Sequence, residues 1–305
     1  MYRHFISTLQ HIDKTLASRF AYLWTRISCI LYSLPFVKTP LPRKPVNLMG
    51  LEFPNPVGLA AGFDRDAGLL KWLAPTGFGF VEIGTVNFSR ENEHSGDNDK
   101  IIANIERARN KHGHPLIGIS LGSLNDTLNA RMLDDYREAM AVFWHCADYI
   151  VINLSRPDCL ARSPDPANDA LKKLLLSIRQ YRDELAARHG THVPVLIKLA
   201  LDKQCNEPPL GIQLVKEAGL DGVIVAFEHW RSREQVISSI RKLDTWISSL
   251  PLIVVGGVRT PEDAEDYFKA GAKLVQLFTG LVEQGPFVAK KIVCGYQKHR
   301  TFCLR

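Results

Sequence analysis

Apolar and polar positions alternate in blocks from residue 46 to the end of the chain. Short, largely β-branched apolar runs are separated by stretches of helical length, such as 167–190 with its leucines at helical spacing. Strict alternation of buried strands with helices is typical of a closed (β/α)8 barrel and not of a doubly wound sheet. We therefore predict an α/β fold, a (β/α)8 TIM barrel over 46–305. The eight predicted strands are 56–60, 79–85, 116–121, 148–154, 193–199, 221–226, 252–256 and 274–278.

Residues 1–45 form a separate N-terminal segment. Apolar residues recur at helical spacing from Phe5 to Leu34, and a proline-rich connection follows. The pattern predicts one or two amphipathic helices. Two interpretations stay open: the helices cap the bottom of the barrel, or they lie in a membrane interface with Trp24 and Arg26 near the polar edge.

The polar stretch 87–114 interrupts the barrel pattern. It contains a dense polar run at 91–98 and little apolar periodicity at its start. Polar connections in this architecture often form loops over the active face. We therefore predict a mobile loop here.

Composition narrows the function classes. The 38 Lys and Arg residues against 32 Asp and Glu give a formal charge of +6, without a long basic run, so nucleic acid is not an expected partner. The six cysteines form no C-x-x-C pair, which favours reduced thiols and a cytoplasmic location. No apolar stretch reaches the ~18 residues of a spanning helix, so any membrane attachment is expected to be peripheral, at the inner face. No metal site is expected, since His112 and His114 lack companions.

Glycines at strand ends are the most informative chemical feature. The runs 55–66 and 77–85 place small residues at the end of apolar strands, the second ending in Gly84 and Thr85. Small residues let backbone amides approach a flat, anionic ligand. Glycine turns after the last two predicted strands usually form the phosphate-binding site of such barrels. The alternative interpretation is that these glycines belong to simple βα turns that bind no ligand.

Lys198 lies inside the apolar run 194–202. Lysine is seldom fully buried without a partner. We therefore expect its ammonium group to face a ligand at the barrel mouth.

In their residues and order these motifs resemble the flavin-binding elements of the class 2 (membrane-associated, quinone-type) dihydroorotate dehydrogenases. The resemblance covers roughly residues 1–90, 115–225 and 250–290. The resemblance implies FMN as cofactor, with Lys198 beside the N1/O2 edge of the ring, where it would stabilise the negative charge of reduction. Arg65 stands where the family has lysine, and Phe278 where tyrosine is more common. The implied cofactor contacts are Ala61, Gly62, Arg65, Thr85, Ser120, Asn153, Lys198, Gly256, Gly257, Phe278, Thr279 and Gly280.

The resemblance breaks after the fourth predicted strand, at the residues that would do the chemistry. Arg156 stands where the family has the serine or cysteine that removes a proton from dihydroorotate. A guanidinium group cannot accept a proton at neutral pH. The asparagine that would read the polar edge of the pyrimidine is Asp158.

The sixth predicted strand departs in the same way. Ala226 replaces a flavin-contacting Thr or Ser, and Phe227 and Glu228 replace an Asn-Thr pair. A site that loses several hydrogen-bonding groups rejects the polar substrate they served, so dihydroorotate oxidation is not expected.

New charged groups suggest a different substrate. We hypothesise that Arg156 clamps an anionic group, that Glu228 or His229 supplies the acid–base function, and that Asp158 and Phe227 contact the substrate. Alternatively, the charged residues are solvated loop positions around an abandoned pocket.

Three functional interpretations follow. The first is an FMN-dependent oxidoreductase, a dehydrogenase acting on a CH–CH bond of a small anionic substrate, with quinone as acceptor. The second is a non-catalytic relative that binds flavin or a metabolite as a sensor or scaffold. The third is an FMN-free barrel that uses the phosphate cradle for a phosphorylated substrate.

Overall fold

The barrel is closed by eight parallel strands in chain order, and the last strand pairs with the first. The computed structural model describes residues 2–32, 43–88, 95–110, 113–124, 128–155, 166–201, 210–227 and 232–302. Two antiparallel strands come first, β1 (Val46–Leu48) and β2 (Leu51–Phe53). The barrel strands are β3 (Val57–Leu59), β4 (Phe80–Phe88), β5 (Leu116–Ser123), β6 (Tyr149–Asn153), β7 (Val195–Leu201), β8 (Gly222–Phe227), β9 (Leu252–Val255) and β10 (Leu274–Leu277). The predicted fold class and all eight predicted strands are confirmed.

Helices precede the barrel and fill the connections between its strands. Two short 3₁₀ turns, Leu70–Trp72 and Ala74–Thr76, lie between β3 and β4. The α-helices in the described ranges are α1 (Tyr2–Ile12), α2 (Lys14–Tyr32), α3 (Ser95–Arg109), α4 (Ala130–Phe143), α5 (Pro166–His189), α6 (Leu210–Ala218), α7 (Arg233–Ile247), α8 (Pro261–Ala270), α9 (Thr279–Gln284) and α10 (Val288–Phe302).

Side chains alternate along each strand between the barrel interior and the helical layer. Residues such as Val81 and Ile117 join the large core beneath the helices. The opposite face forms a separate interior cluster, in which the rings of Phe80 and Tyr149 occupy the space beside Gly58 and Gly118. The fully buried members of that cluster are Phe53, Phe80, Tyr149, Val151, Leu196, Ile224, Ile253 and Leu274. The lower barrel is therefore filled by side chains, and a site is to be sought at the carboxyl ends of the strands.

The N-terminal helices do not cap the bottom of the barrel, so that interpretation is wrong. The Tyr2 hydroxyl donates to the carbonyl oxygen of Val282 in α9 at 2.8 Å, and the Tyr22 ring lies 6.0 Å from that of Phe63, just after β3. Both contacts are beside carboxyl ends of strands. The amino end is instead covered by the β1–β2 hairpin, whose Phe53 ring lies 5.3 Å from that of Phe80.

The predicted loop over 87–114 is also corrected, because most of it is helix α3. Ile101, Ile105 and Ala108 are buried at helical spacing and anchor this helix to the core. Asp97 in its first turn and Arg109 in its last complement the helix dipole. The polar run at 91–98 favoured a loop in the prediction, because the buried apolar positions of the helix begin only after it.

No helix in the described ranges is long and apolar enough to cross a bilayer. Within the described ranges Cys29, Cys146 and Cys294 form no disulfide; the first two are buried and the third is partly exposed.

Candidate functional site

Four backbone segments, three turns and one part of a strand, meet at one rim of the barrel. Ala61 and Gly62 follow β3, Gly84 and Thr85 lie within β4, Gly256 and Gly257 follow β9, and the segment 278–280 follows β10. Strand β10 pairs with both β3 and β9, and β3 with β4, so the turns belong to four adjacent strands. The sequence-predicted turns are thus brought together at the carboxyl ends, where barrel sites are built.

The glycines of these turns are required by geometry. Gly256 has φ +111°, and a Cβ there would lie 2.8 Å from the carbonyl oxygen of Phe227. A Cβ on Gly280 would lie 2.6 Å from the carbonyl oxygen of Val258. A side chain at Gly256 would push its turn away from the end of β8, and one at Gly280 would push the turn after β10 away from the turn after β9. The rim therefore depends on glycine at both positions.

Main-chain donors without a main-chain acceptor lie at this rim. Among the described residues, the amides of Gly257, Thr279 and Gly280 donate to no main-chain carbonyl. Such amides need an external partner or water. The turns can therefore receive the oxygens of an anionic group.

A chain of polar side chains crosses the other half of the rim. Asn153 Nδ2 donates to Thr85 Oγ1 at 2.9 Å, and Thr85 Oγ1 lies 3.2 Å from Ser120 Oγ. Asn153 Oδ1 accepts from the amide of Ser155 at 3.1 Å. The Ser155 hydroxyl is buried and has no partner within the part of the chain that the structure describes. This side offers hydroxyl and amide groups to a polar ring edge.

Small side chains line the mouth of the barrel. Ala60, Gly84, Ala200 and Ala226 continue the inward-facing positions of their strands above the packed interior. None of them has an atom beyond Cβ. The space between the polar side and the glycine turns is thus free of large inward side chains at these four positions.

Lys198 is buried, with 7% exposure, and its partner lies inside the barrel. Its Nζ lies 3.5 Å from Oε2 of Glu82, which is fully buried. The other carboxylate oxygen of Glu82 accepts a hydrogen bond from Gln276 Nε2. Burial, and then the nearby Glu82 carboxylate, raises the pKa of Tyr149 well above its ordinary value, so this phenol stays protonated.

Sequence reasoning missed Glu82 and Gln276. Both carry the signal that singled out Lys198, a polar side chain inside an apolar strand. The contacts of Glu82 with Lys198 and Gln276 join β4, β7 and β10 across the barrel interior. The spacing of these residues along the sequence does not predict the contacts.

The first turn also carries acidic residues. Both oxygens of Asp64 accept from the amide of Leu69, and burial raises the pKa of Asp64 to about 7. Asp66 pairs with Lys100 of α3 at 2.7 Å. Arg65 between them is exposed, and its predicted cofactor contact stays a prediction.

The predicted catalytic residues Arg156, Glu228 and His229, and the predicted substrate contact Asp158, lie outside the described residues. Phe227 is 8% exposed and packs in the core beneath the helices. Its substrate contact stays a prediction.

These residues fit FMN. Amides without a main-chain partner at two glycine turns suit a phosphate, the small side chains at the mouth suit the close approach of a flat ring system, and Lys198 with the chain from Asn153 to Ser120 would offer polar groups to the ring edge. Phe278 and Gly62 close the cradle on one side, since a Cβ on Gly62 would lie 3.4 Å from the Phe278 ring.

The fold and the site together define the class of this protein: a (β/α)8 barrel with a cradle of glycine turns at its rim. Comparison with known proteins gives the family. The dihydroorotate dehydrogenase family model matches residues 91–233 and 231–299. The chain is 33% identical over 308 aligned positions to dihydroorotate dehydrogenase (quinone) of Stenotrophomonas maltophilia strain K279a, covering 87% of each. It is 34% identical to the enzyme of the same name from Marinobacter nauticus, covering 86% of this chain and 88% of the relative.

Solved structures agree on the fold. Dihydroorotate dehydrogenase of Eimeria tenella in complex with ferulenol superposes with a TM-score of 0.77 at 22% identity, covering 95% of this chain and 92% of that one. The ligand-free form gives 0.76 at 24% identity. The chain therefore belongs to the dihydroorotate dehydrogenase family, and the resemblance to its quinone-type class is confirmed.

Proposed function

We propose that this protein is an FMN-dependent oxidoreductase that acts on a small anionic substrate other than dihydroorotate. The carrying observation is a contrast between the cofactor groups and β8. The glycine turns of the cradle and Lys198 of β7 are both present, whereas Ala226 gives the neighbouring strand β8 no hydrogen-bonding side chain at the rim. Relatives named dihydroorotate dehydrogenase (quinone) support the reaction class.

Different residues would bind the cofactor and the substrate. The amides of Gly257, Thr279 and Gly280 would hold the phosphate of FMN, and Lys198 the edge of its ring. When bound, FMN supplies a two-electron acceptor for hydride from a C–H bond. Arg156 replaces the family's base and would bind an anionic group of the substrate, leaving Glu228 or His229 to take the proton.

The test uses the protein as purified. The expected result is a yellow protein whose released cofactor is FMN, with no dihydroorotate-dependent reduction of quinone. Dihydroorotate oxidation at rates typical of the family would overturn the proposed substrate change. A colourless protein that does not take up added FMN would overturn the cofactor as well, and would favour the phosphorylated-substrate interpretation.

Quinone is the electron acceptor we propose, reached from a membrane surface. Helices α1 and α2 expose a set of large apolar side chains, with Arg19 and Arg26 also exposed on α2. Amphipathic helices of this kind lie in membrane interfaces. The exposed apolar set is Phe5, Ile12, Leu16, Leu23, Trp24, Ile27, Ile30, Leu31 and Tyr32.

Vesicle sedimentation tests the membrane proposal. The full chain should sediment with vesicles of mixed neutral and anionic lipid, and Leu23→Asp with Ile27→Asp should leave it in the supernatant. Substituting Leu176→Asp on α5, which is also an exposed apolar residue, is the control and should not change sedimentation. Equal sedimentation of all variants would contradict the proposal.

Arg156 at the base position favours a second candidate, a non-catalytic flavin-binding relative. Photoreduction separates the two. A photoreduced enzyme should be reoxidised rapidly by a soluble quinone, whereas a protein reoxidised no faster than in quinone-free buffer fits the second candidate.

A further inference from the structure

A buried carboxylate lies directly beneath the cradle. Glu82 faces the barrel interior from β4 with no exposed surface, and its two oxygens meet Lys198 of β7 and Gln276 of β10. A buried ionised group is costly unless it is paired and hydrogen-bonded. Both oxygens are bonded here, so the carboxylate is held in one place.

Its neighbours leave the carboxylate little freedom to move. Gly118 is its register partner on β5, and the space beside that glycine is filled by Tyr149. Gln276 is opposite Gly58 on β3, where the Phe80 ring fills the space. Glu82 therefore presents a fixed negative charge to the ammonium group of Lys198.

We propose that Glu82 is a positioning residue that sets the reduction potential of the bound flavin through Lys198. This inference rests on the proposed function, because Lys198 must lie at the edge of the ring. Two-electron reduction of the flavin, with uptake of one proton, adds one negative charge to the ring. An ammonium group beside the ring stabilises that charge, and a carboxylate 3.5 Å behind the ammonium offsets part of the stabilisation. Glu82 thus holds the potential below the value that Lys198 alone would produce.

The central variant is Glu82→Gln, which removes the charge and keeps the size. Gln276 Oε1 has no partner among the described residues, so a turn of its amide can present this oxygen to the new side-chain NH2 group. Glu82→Asp keeps the charge but withdraws it by one methylene group. Asp148→Asn is the matched control, because it removes an ion-paired carboxylate at the amino end of the barrel.

The measurement is equilibrium reduction of the flavin-loaded proteins against a reference dye, followed by visible absorbance. In Glu82→Gln the ratio of reduced to oxidised flavin at a fixed potential should rise about tenfold, a positive shift of about 30 mV for a two-electron couple. Glu82→Asp should shift the potential in the same direction by less, Lys198→Met in the opposite direction, and Asp148→Asn should match wild type.

A wild-type or lower potential in Glu82→Gln would overturn the inference while leaving the proposed function standing. If Glu82→Gln does not fold, a wild-type potential in Glu82→Asp overturns it equally. A wild-type protein that binds no flavin would instead overturn the proposed function, and this inference with it.

Discussion

Asn153 and Thr85 are joined by a hydrogen bond of 2.9 Å between the side-chain amide of the first and the hydroxyl of the second. The bond ties the carboxyl end of β6 to β4, across the end of β5. Because Thr85 also contacts Ser120, one asparagine fixes the polar half of the mouth.

Substituting Asn153→Ala should therefore weaken flavin retention. It removes the bond to Thr85 and the acceptor for the amide of Ser155, at a cost of about 1–3 kcal/mol in unfolding free energy. Ultrafiltration followed by absorbance measures retention, and urea unfolding measures stability. The control is Asn55→Ala, which removes an equally bonded, buried amide at the amino end of the barrel. It should lower stability without releasing flavin, and equal flavin loss in both variants would contradict the assignment.

Substituting Gly256→Ala should disrupt the cradle. At φ +111°, and with a Cβ 2.8 Å from the carbonyl oxygen of Phe227, the turn must move. We expect at least about a tenfold loss of FMN affinity and a strain of about 1–3 kcal/mol. Gly113→Ala is the control, because Gly113 also has positive φ but open space around it. Calorimetric FMN titration of the two apoproteins compares them, and a wild-type affinity in Gly256→Ala would exclude this turn from the cofactor site.

Stability should fall as pH rises from about 4 to about 7, through Asp64. Burial raises the pKa of its carboxyl group from 3.8 to about 7 in the folded protein, so the folded state binds more protons than the unfolded state over that range. At about 1.4 kcal/mol per pKa unit the loss is roughly 4 kcal/mol, complete above pH ~7. Urea unfolding at several pH values measures it. In Asp64→Asn this contribution should vanish, and an unchanged slope would show that another group titrates.

Two matching ion pairs brace the barrel. Arg109 donates to Asp148 at 2.7 Å and to the carbonyl oxygen of Cys146, and Asp148 accepts from the amide of Ile117. Arg182 repeats the arrangement with Asp221, the carbonyl oxygen of Gly219 and the amide of Val195. Each aspartate directly precedes a strand, β6 or β8, and ties it to the strand before.

Their costs of removal should differ because their burial differs. The Arg182 side chain is 8% exposed and that of Arg109 is 34% exposed. Arg182→Met should lower the unfolding free energy by about 3–5 kcal/mol, because it strands a partly buried carboxylate, and Arg109→Met by about 1 kcal/mol. Urea unfolding at neutral pH provides both values. Equal losses would mean that burial does not govern these pairs.

The barrel could be predicted because each of its strands lies in a largely apolar run. Elements without that signal were missed. Strands β1 and β2 have three residues each and expose Asn47 and Glu52, and α3 opens with a polar turn.

The candidate site also has a part that the sequence predicts and a part that it does not. The glycine turns and Lys198 could be predicted from sequence motifs. The partner of Lys198 was not, because Glu82 lies 116 positions away and only barrel closure brings the two together. The positions of the N-terminal helices likewise depend on contacts such as Tyr22 with Phe63, which no helical periodicity encodes.

Alternation along the strands has a consequence for how such a protein can diverge. In β8, Val223 and Val225 pack in the core beneath the helices, and Ile224 between them belongs to the interior cluster. By the same alternation, Ala226 faces the interior. Exchanging an inward residue near the carboxyl end of a strand leaves the outer packing untouched. Selection can thus change the ligand specificity of the barrel by substitutions at single strand ends, while the packing that stabilises the fold is kept.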